Sequence, residues 1–194
     1  MRRAMLLLVG LLVISTLGAA VLAAAVAGMA VPGGGQSGGQ TATGEAADAR
    51  ASGRALASIP PTWLDLYRQA AATCPGLPWT VLAGIGTVES DNGQSSAAGV
   101  RSGANFAGAE GPMQFEPSTF SSYAVVGPGG ADPPSPYDPV DAVYSAAHLL
   151  CVDGGGDPST VAAAIYAYNH SSDYVAQVLS LASSYGAAAG TGQR

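Results

Sequence analysis

The sequence contains no lysine, and its basic residues are seven arginines and two histidines. From residue 55 onward, 11 acidic residues stand against three arginines, so the net charge of this part is near −8. Proteins that bind nucleic acid need a basic patch to neutralise phosphates. The composition therefore excludes nucleic acid as an expected partner and favours one that is neutral, or cationic in places.

No charged residue lies between Arg3 and Glu45, and residues 4–31 form an apolar stretch of 28 residues. About 20 apolar residues span a bilayer, whereas the apolar part of a secretory signal is about 7 to 15 residues long. The arginines in front orient the segment with its N-terminus in the cytoplasm. We predict an exported protein with an uncleaved anchor at residues 1–31. The alternative is a cleaved signal peptide and a secreted protein.

Cysteine is scarce, since Cys74 and Cys151 are the only two, 77 positions apart. Neither lies in a recognisable nucleophile motif, which argues against cysteine catalysis. An even cysteine count in an exported protein favours a disulfide. In the chain-entropy model, closing so long a loop would stabilise the fold by about 4 kcal/mol. Two separate buried thiols are the alternative.

Sustained period-2 alternation is absent, so we predict an all-α fold without a substantial sheet. Residues 32–56 have almost no large apolar side chains and are predicted to be a flexible linker. The folded domain is predicted at residues 57–186, followed by a disordered tail at 187–194. Apolar spacing and Gly and Pro punctuation predict helices at residues 61–73, 78–91, 117–125, 138–152, 157–169 and 172–185. Asp138-Pro139 and Asp157-Pro158 are typical of helix starts.

The most informative residue is Glu89, which follows the apolar run at residues 81–88 near a predicted helix end. A helix C-terminus carries partial negative charge, which disfavours a carboxylate there. This field, together with burial against the apolar run, would raise the pKa of the Glu89 carboxyl and keep it protonated near neutral pH. A general acid for glycosidic bond cleavage needs that property. A surface acid at a frayed helix end is the alternative.

Three segments occur in the order of one family pattern. They are Glu89-Ser90, residues 108–120 (Gly-Ala-Glu-Gly-Pro-Met-Gln-Phe-Glu-Pro-Ser-Thr-Phe) and Ala167-Tyr168-Asn169. Together they resemble the lytic transglycosylases, which cleave peptidoglycan with a lysozyme-like helical domain. The resemblance covers residues 60–180 and implies a two-lobed sugar-binding groove. It also implies peptidoglycan glycan strands as the partner, and an anchored enzyme facing the cell wall.

The resemblance implies that Glu89 is the single catalytic acid/base, with Ser90 beside it holding its carboxyl. The hydroxyl of Tyr168 would lie near Glu89. The implied substrate-binding residues are Ser90, Met113, Gln114, Phe115, Tyr168 and Asn169. Two of these have simpler interpretations, because Met113 would also suit the core and Asn169 a helix C-cap.

Most glycosidases need two carboxyls across the scissile bond. Asp91 lies two residues from Glu89 and points elsewhere on a helix, so Glu110 and Glu116 are the remaining candidates for a second carboxyl. If one of them faces Glu89, a muramidase that hydrolyses the same bond becomes the alternative. A non-catalytic glycan-binding module is another.

The residues predict no cofactor and no bound metal. In the membrane-bound B type of the family an Asp-rich calcium loop follows this region, but here residues 125–137 are rich in Gly and Pro and contain only Asp132. The small size of the chain suggests that the enzyme works within a larger cell-wall enzyme complex.

Overall fold

A computed structural model describes residues 50–187 of the chain. The predicted membrane segment (1–31), most of the predicted linker (32–56) and most of the predicted tail (187–194) lie outside these residues. Between residues 50 and 187 no helix combines the length and apolar character that a membrane crossing requires. The helices of this part of the chain are α1 (Gly53–Ser58), α2 (Pro61–Ala71), α3 (Trp79–Ser90), α4 (Pro117–Tyr123), α5 (Pro139–Val152), α6 (Val161–Asn169) and α7 (Ser172–Tyr185).

The all-α prediction is confirmed, because residues 50–187 contain no strand and only two isolated β-bridges. All six predicted helices are present. Helix α1 was not predicted, and it lies across the expected boundary between linker and domain. It forms because Ser52 caps its first turn and because Ala55 is buried against the rest of the domain.

The two aspartate–proline signals have different outcomes. Asp138 caps α5 as predicted, since its carboxylate accepts hydrogen bonds from the amides of Val140 and Asp141. Asp157 was wrongly predicted to cap α6. Its carboxylate accepts from the amide and hydroxyl of Ser159, which closes a local turn, and α6 begins only at Val161.

Helix α3 lies at the centre of the domain and packs against α7, α2 and α5. Residues 79–86 are buried on every face, as expected for a helix that is apolar all round. Two glycines allow the close packing. A Cβ on Gly84 would lie 2.9 Å from the carbonyl oxygen of Val178 on α7, and a Cβ on Gly86 would overlap the hydroxyl of Tyr67 on α2. The buried helix therefore sets the position of Glu89 in its last turn.

The predicted disulfide is present. Cys74 follows α2 and Cys151 lies in the last turn of α5, with their Cα atoms 5.7 Å apart. The bond links two helices that also pack against each other. The segment of chain between the two cysteines contains both long loops, at residues 91–116 and 124–138.

The second of these loops is held by one buried carboxylate. Asp141, in the first turn of α5, is fully buried and accepts hydrogen bonds from the amides of Gly127, Ala131 and Ser135 at 3.0–3.1 Å. A carboxylate supplies enough lone pairs for three donors. Asp141 therefore gives the loop a fixed backbone path despite its Gly- and Pro-rich sequence.

We expect Asp141→Asn to lower the free energy of unfolding by about 2–3 kcal/mol, because an amide nitrogen would replace one acceptor oxygen and face the loop amides. Denaturant unfolding measures this change. Asp65→Asn is the matched control, since Asp65 is exposed and forms only a 3.9 Å ion pair with Arg68. Equal stability of the two variants would contradict the role assigned to Asp141.

Candidate active site

Helix α3 ends immediately after Glu89-Ser90, because the next two residues adopt the left-handed conformation. Asp91 has φ 52° and Asn92 has φ 55°. The amide of Asn92 donates to the carbonyl of Gly86 at 2.9 Å, which closes the helix terminus. The fully buried side chain of Asn92 accepts a hydrogen bond from the hydroxyl of Tyr67 at 3.0 Å. These contacts hold the helix end, and with it Glu89, in one position.

The carboxyl of Glu89 is half-buried, and its environment keeps it protonated at unusually high pH. Burial raises the pKa of Glu89 from 4.5 to about 7, and a hydrogen bond from Tyr174 partly opposes this rise. The Tyr174 hydroxyl donates to Oε1 at 2.6 Å. The elevated pKa predicted from the sequence is therefore present, and burial is its largest cause.

Two tyrosines and a phenylalanine form an aromatic wall beside Glu89. The rings of Tyr168 and Tyr174 are parallel, with centroids 6.5 Å apart, and Phe115 packs against Tyr168 at 5.7 Å. Burial and the neighbouring Glu89 carboxylate raise the pKa of both tyrosine hydroxyls, so both remain donors at physiological pH. Phe115 and Tyr168 of this wall line the same cavity as Glu89.

Tyr168 lines the same cavity as Glu89, but the hydrogen bond to the Glu89 carboxyl comes from a tyrosine that was not predicted. The hydroxyl of Tyr168 donates to the carbonyl of Met113 at 2.8 Å, and Tyr174 makes the bond to Glu89. Tyr174 stands in the first turn of α7, after the sharp turn that His170 makes in the left-handed conformation. No signal in the sequence pointed to Tyr174, because nothing in its local motif shows that α7 returns to α3.

Ser90 does not hold the Glu89 carboxyl, which corrects the prediction. Its hydroxyl donates to the carbonyl of Pro112 at 2.6 Å and accepts from the amide of Gly93 at 2.8 Å. The side chain of Met113 is fully buried in the core, so the core interpretation is right and this side chain does not reach the groove. Both residues fix the loop that carries Gln114.

Gln114 is held in a left-handed conformation, with φ 49°, at the turn between Gly111 and Phe115. Its side-chain amide donates to the carbonyl of Gly111 at 2.7 Å, and its Oε1 accepts from the Nδ2 of Asn105 at 2.9 Å. A glutamine constrained in this way presents its amide in one orientation. Asn105 was not predicted as a site residue, although it organises this part of the loop.

A cavity of about 290 Å³ brings most of the predicted residues together. Its lining includes five of them and excludes Ser90 and Met113. The lining residues are Glu89, Asn105, Ala107, Ala109, Gln114, Phe115, Glu116, Thr119, Leu149, Ala167, Tyr168, Asn169 and His170. Asn169 is exposed at the end of α6, where the helix is closed by His170. A larger cavity of about 370 Å³, between α2 and the start of α5, has no carboxyl in its lining.

The two candidate second carboxyls have different positions. Glu116 is exposed and lines the same cavity as Glu89. Glu110 is not part of that lining and contacts Tyr137, where it helps to raise the pKa of the phenol. The causes of the Glu89 pKa shift are burial and Tyr174, and neither is a second carboxylate.

Within residues 50–187 no group of three or more metal-ligating side chains is found.

The chain forms a helical domain with a partly buried glutamic acid beside a cavity, and comparison with known proteins identifies the family. The family model described as "Transglycosylase SLT domain" matches residues 67–189. This match covers more than half of the chain, which therefore belongs to this family of lytic transglycosylases, as the sequence resemblance predicted. Family membership supports a peptidoglycan-cleaving activity. Among curated proteins there is no significant match.

Two solved structures share the fold, and both are of the Escherichia coli lytic transglycosylase Slt35. One is a complex with bulgecin A and the other a complex with calcium. Each is 20% identical to this chain over 66% of its length, with a TM-score of 0.50. The aligned region covers 75% and 76% of the two Slt35 chains. At this identity the similarity shows the lysozyme-like fold alone.

The elevated pKa of Glu89 makes a stability prediction. The folded state binds the Glu89 proton more tightly than the unfolded state. The contribution of this proton to the free energy of unfolding is therefore fully present below pH 4.5 and is lost as the pH rises toward about 7. Glu89→Gln keeps the neutral form at every pH. We expect the variant to match the parent at pH 4.5 and to be more stable at pH 8, by up to about 3 kcal/mol.

Denaturant unfolding at several pH values tests this difference. Glu116→Gln is the control, because Glu116 is exposed and shares only the cavity with Glu89. A Glu89→Gln advantage that is the same at pH 4.5 and pH 8 would show that the carboxyl is not desolvated in the folded protein.

Proposed function

We propose that this protein is a peptidoglycan lytic transglycosylase. It cleaves the β-1,4 bond between MurNAc and GlcNAc and leaves a 1,6-anhydroMurNAc end. Glu89 is its single general acid/base, and Gln114, Phe115, Tyr168 and Asn169 bind the glycan in the cavity, which is the centre of the predicted two-lobed groove. The observation that carries this proposal is the protonated, half-buried carboxyl of Glu89 at the edge of a polar cavity.

A single carboxyl can perform both proton transfers. In the first step, protonated Glu89 gives its proton to the glycosidic oxygen while the bond from that oxygen to the anomeric carbon of MurNAc breaks. In the second step, the Glu89 carboxylate accepts the proton of the MurNAc 6-hydroxyl while the 6-oxygen bonds to the anomeric carbon. Glu89 ends protonated again, and no water is consumed.

The pKa of about 7 suits both steps. A catalytic group is most effective when its pKa lies near the working pH, because it must give and then accept a proton. Tyr174 supports the first step, since its hydroxyl donates at 2.6 Å to the carboxylate that forms when Glu89 gives up its proton. The aromatic wall supports the first step by keeping the carboxyl poorly solvated.

The alternative function is a muramidase that hydrolyses the same bond, and the position of Glu116 in the cavity favours this as the second candidate. A hydrolase needs a second carboxylate to activate water or to stabilise the sugar cation. Glu116 is the better candidate of the two, because Glu110 is engaged with Tyr137 outside the cavity.

For the setting of the enzyme, we propose export and attachment to the cell membrane through the apolar segment at residues 4–31, facing the cell wall. A secreted form follows if that segment is cleaved. Action within a larger cell-wall enzyme complex stays a prediction.

Mass spectrometry of the fragments released from purified peptidoglycan tests the reaction. We expect fragments one water lighter than hydrolysis products, and none from Glu89→Gln. Glu116→Gln and its matched control Glu110→Gln should keep most of the activity. Reducing-end fragments that disappear with Glu116→Gln would establish the muramidase instead. A folded parent protein that releases nothing would favour a non-catalytic glycan-binding module.

The pH profile tests the role of Tyr174. Because its hydrogen bond lowers the pKa of Glu89, Tyr174→Phe should move the alkaline fall of activity upward, by about one pH unit for a bond to a charged acceptor. The maximal rate should also fall, because the carboxylate formed in the reaction loses a donor. Tyr144→Phe, in the other cavity, is the control. An unshifted profile would refute the proposed coupling.

A further inference from the structure

One large apolar side chain is displayed to solvent without any cover. Phe106 has a relative exposure of 104%, whereas the other exposed large apolar side chains among residues 50–187 range from 48% to 63%. Single exposed apolar residues are common on protein surfaces and carry no meaning by themselves. The position of Phe106 is what gives this residue its significance.

Phe106 lies next to the cavity that contains Glu89, although its own side chain is not part of the cavity lining. Its two chain neighbours, Asn105 and Ala107, both line that cavity. The remaining exposed large aliphatic side chains, Leu56, Val126 and Val152, are absent from the lining. At a relative exposure of 104%, the Phe106 ring is not covered by any other side chain. It is an isolated ring beside the proposed substrate site.

The turn that carries Phe106 has a fixed backbone. The side-chain oxygen of Asn105 accepts from the amides of Ala107 at 2.7 Å and Ala109 at 3.0 Å. The main chain of Asn105 bonds to Ala109 and Gly108 at 3.0 Å each. Such an Asx turn holds its backbone without help from distant residues. The backbone position of Phe106 is thus set by Asn105.

The same asparagine connects the turn to the cavity wall. Its side-chain nitrogen donates to Oε1 of Gln114 at 2.9 Å, and Gln114 is the constrained glutamine of the proposed glycan site. A molecule that contacts both Phe106 and Gln114 would therefore meet a preorganised pair of groups, one apolar and one polar. Sites of this composition are typical for small polar ligands with apolar faces.

The charge of the cavity lining indicates what kind of contact the Phe106 ring would make with a ligand. Among the residues that line it, the carboxyls are Glu89 and Glu116, and there is no arginine. The carboxylates of muramic acid or of stem peptides therefore find no arginine partner in this lining. His170 is the one basic residue in the lining, so most of the affinity is expected from hydrogen bonds and from contact between rings and the apolar faces of the sugars.

We propose that Phe106 is a stacking platform for a sugar ring of the glycan strand bound beside Glu89. This inference rests on the proposed function and adds a specificity residue to it. An aromatic face attracts the C–H groups on the apolar side of a pyranose ring and does not depend on charge. Phe106 would thus bind the sugar itself rather than the stem peptide.

Binding in the inactive Glu89→Gln background tests the proposal without catalysis. The probe is a soluble tetrasaccharide of alternating GlcNAc and MurNAc, with and without stem peptides. We expect Phe106→Ala to weaken binding of both forms by about tenfold. Leu56→Ala is the matched control, because Leu56 is exposed but lies away from the cavity. The Phe106 side chain is fully exposed, so the variant should keep the parent's melting temperature.

A tryptophan at this position supplies a direct readout. We expect Phe106→Trp to retain binding and its fluorescence to change on saturation with the tetrasaccharide. The parent already contains Trp63 and Trp79, so the signal of the new tryptophan is the difference between the variant and the parent. In otherwise unmutated enzyme, Phe106→Ala should raise KM with little change in kcat, since stacking of this kind holds substrate and transition state alike.

Unchanged affinity for Phe106→Ala, or a loss confined to the stem-peptide form, would overturn the proposal. If the parent releases anhydro fragments while Phe106→Ala shows no change in binding, only this inference fails. If the parent releases no fragments and Glu89→Gln binds no tetrasaccharide, the proposed function itself fails.

Discussion

Burial of a carboxyl at the end of a central helix, opposed by one phenol hydroxyl, is the interaction on which the site depends. Without the burial, Glu89 would ionise near pH 4.5 and could not act as an acid at neutral pH. Without the 2.6 Å bond from Tyr174, the carboxylate formed in the reaction would have no close donor. The burial exists because α3 is apolar on all faces and is enclosed by α2, α5 and α7. The same packing that stabilises the domain therefore tunes its proposed catalytic group, and the desolvated carboxyl lowers the stability of the fold above pH 4.5.

Several polar side chains in and around the site serve mainly to hold loops. Ser90 ties the end of α3 to Pro112, and Asn105 closes the turn in front of Gln114. Asp141 does the same for the second loop, whose carbonyl at Pro136 lies so close to Gly111 that no side chain fits there. A loop rich in glycine and proline has many accessible conformations, and ordering it has an entropic cost. Side-chain acceptors for loop amides offset that cost, and they bring Gln114 and Phe115 into the cavity with Glu89.

The sequence predicted the helical class, six helices, the disulfide and the raised pKa of Glu89, because each depends on local periodicity, on composition or on a short motif. It did not predict which tyrosine contacts Glu89, since Tyr174 lies 85 positions away and only the return of α7 to α3 joins them. Ser90 and Met113 were misassigned for a related reason. A motif shows which residues occur near a site, but the direction of each side chain is set by packing, and Met113 turns into the core. Helix α1 was missed because six residues with one buried alanine carry too weak a periodic signal.

The electrostatics of the cavity are compatible with the proposed single-acid reaction, because burial alone is enough to raise the pKa of Glu89. In an enzyme with two closely spaced carboxyls, the charge on one raises the pKa of the other. Here the pKa of Glu89 is raised by burial, and Glu116 is not among the causes although it lines the same cavity. Glu116 is also exposed, so it remains well solvated. Burial alone raises the pKa of Glu89 enough to give the protonated carboxyl that the proposed reaction needs. A substrate that carries its own nucleophile, the 6-hydroxyl of muramic acid, therefore needs nothing further from a second carboxyl.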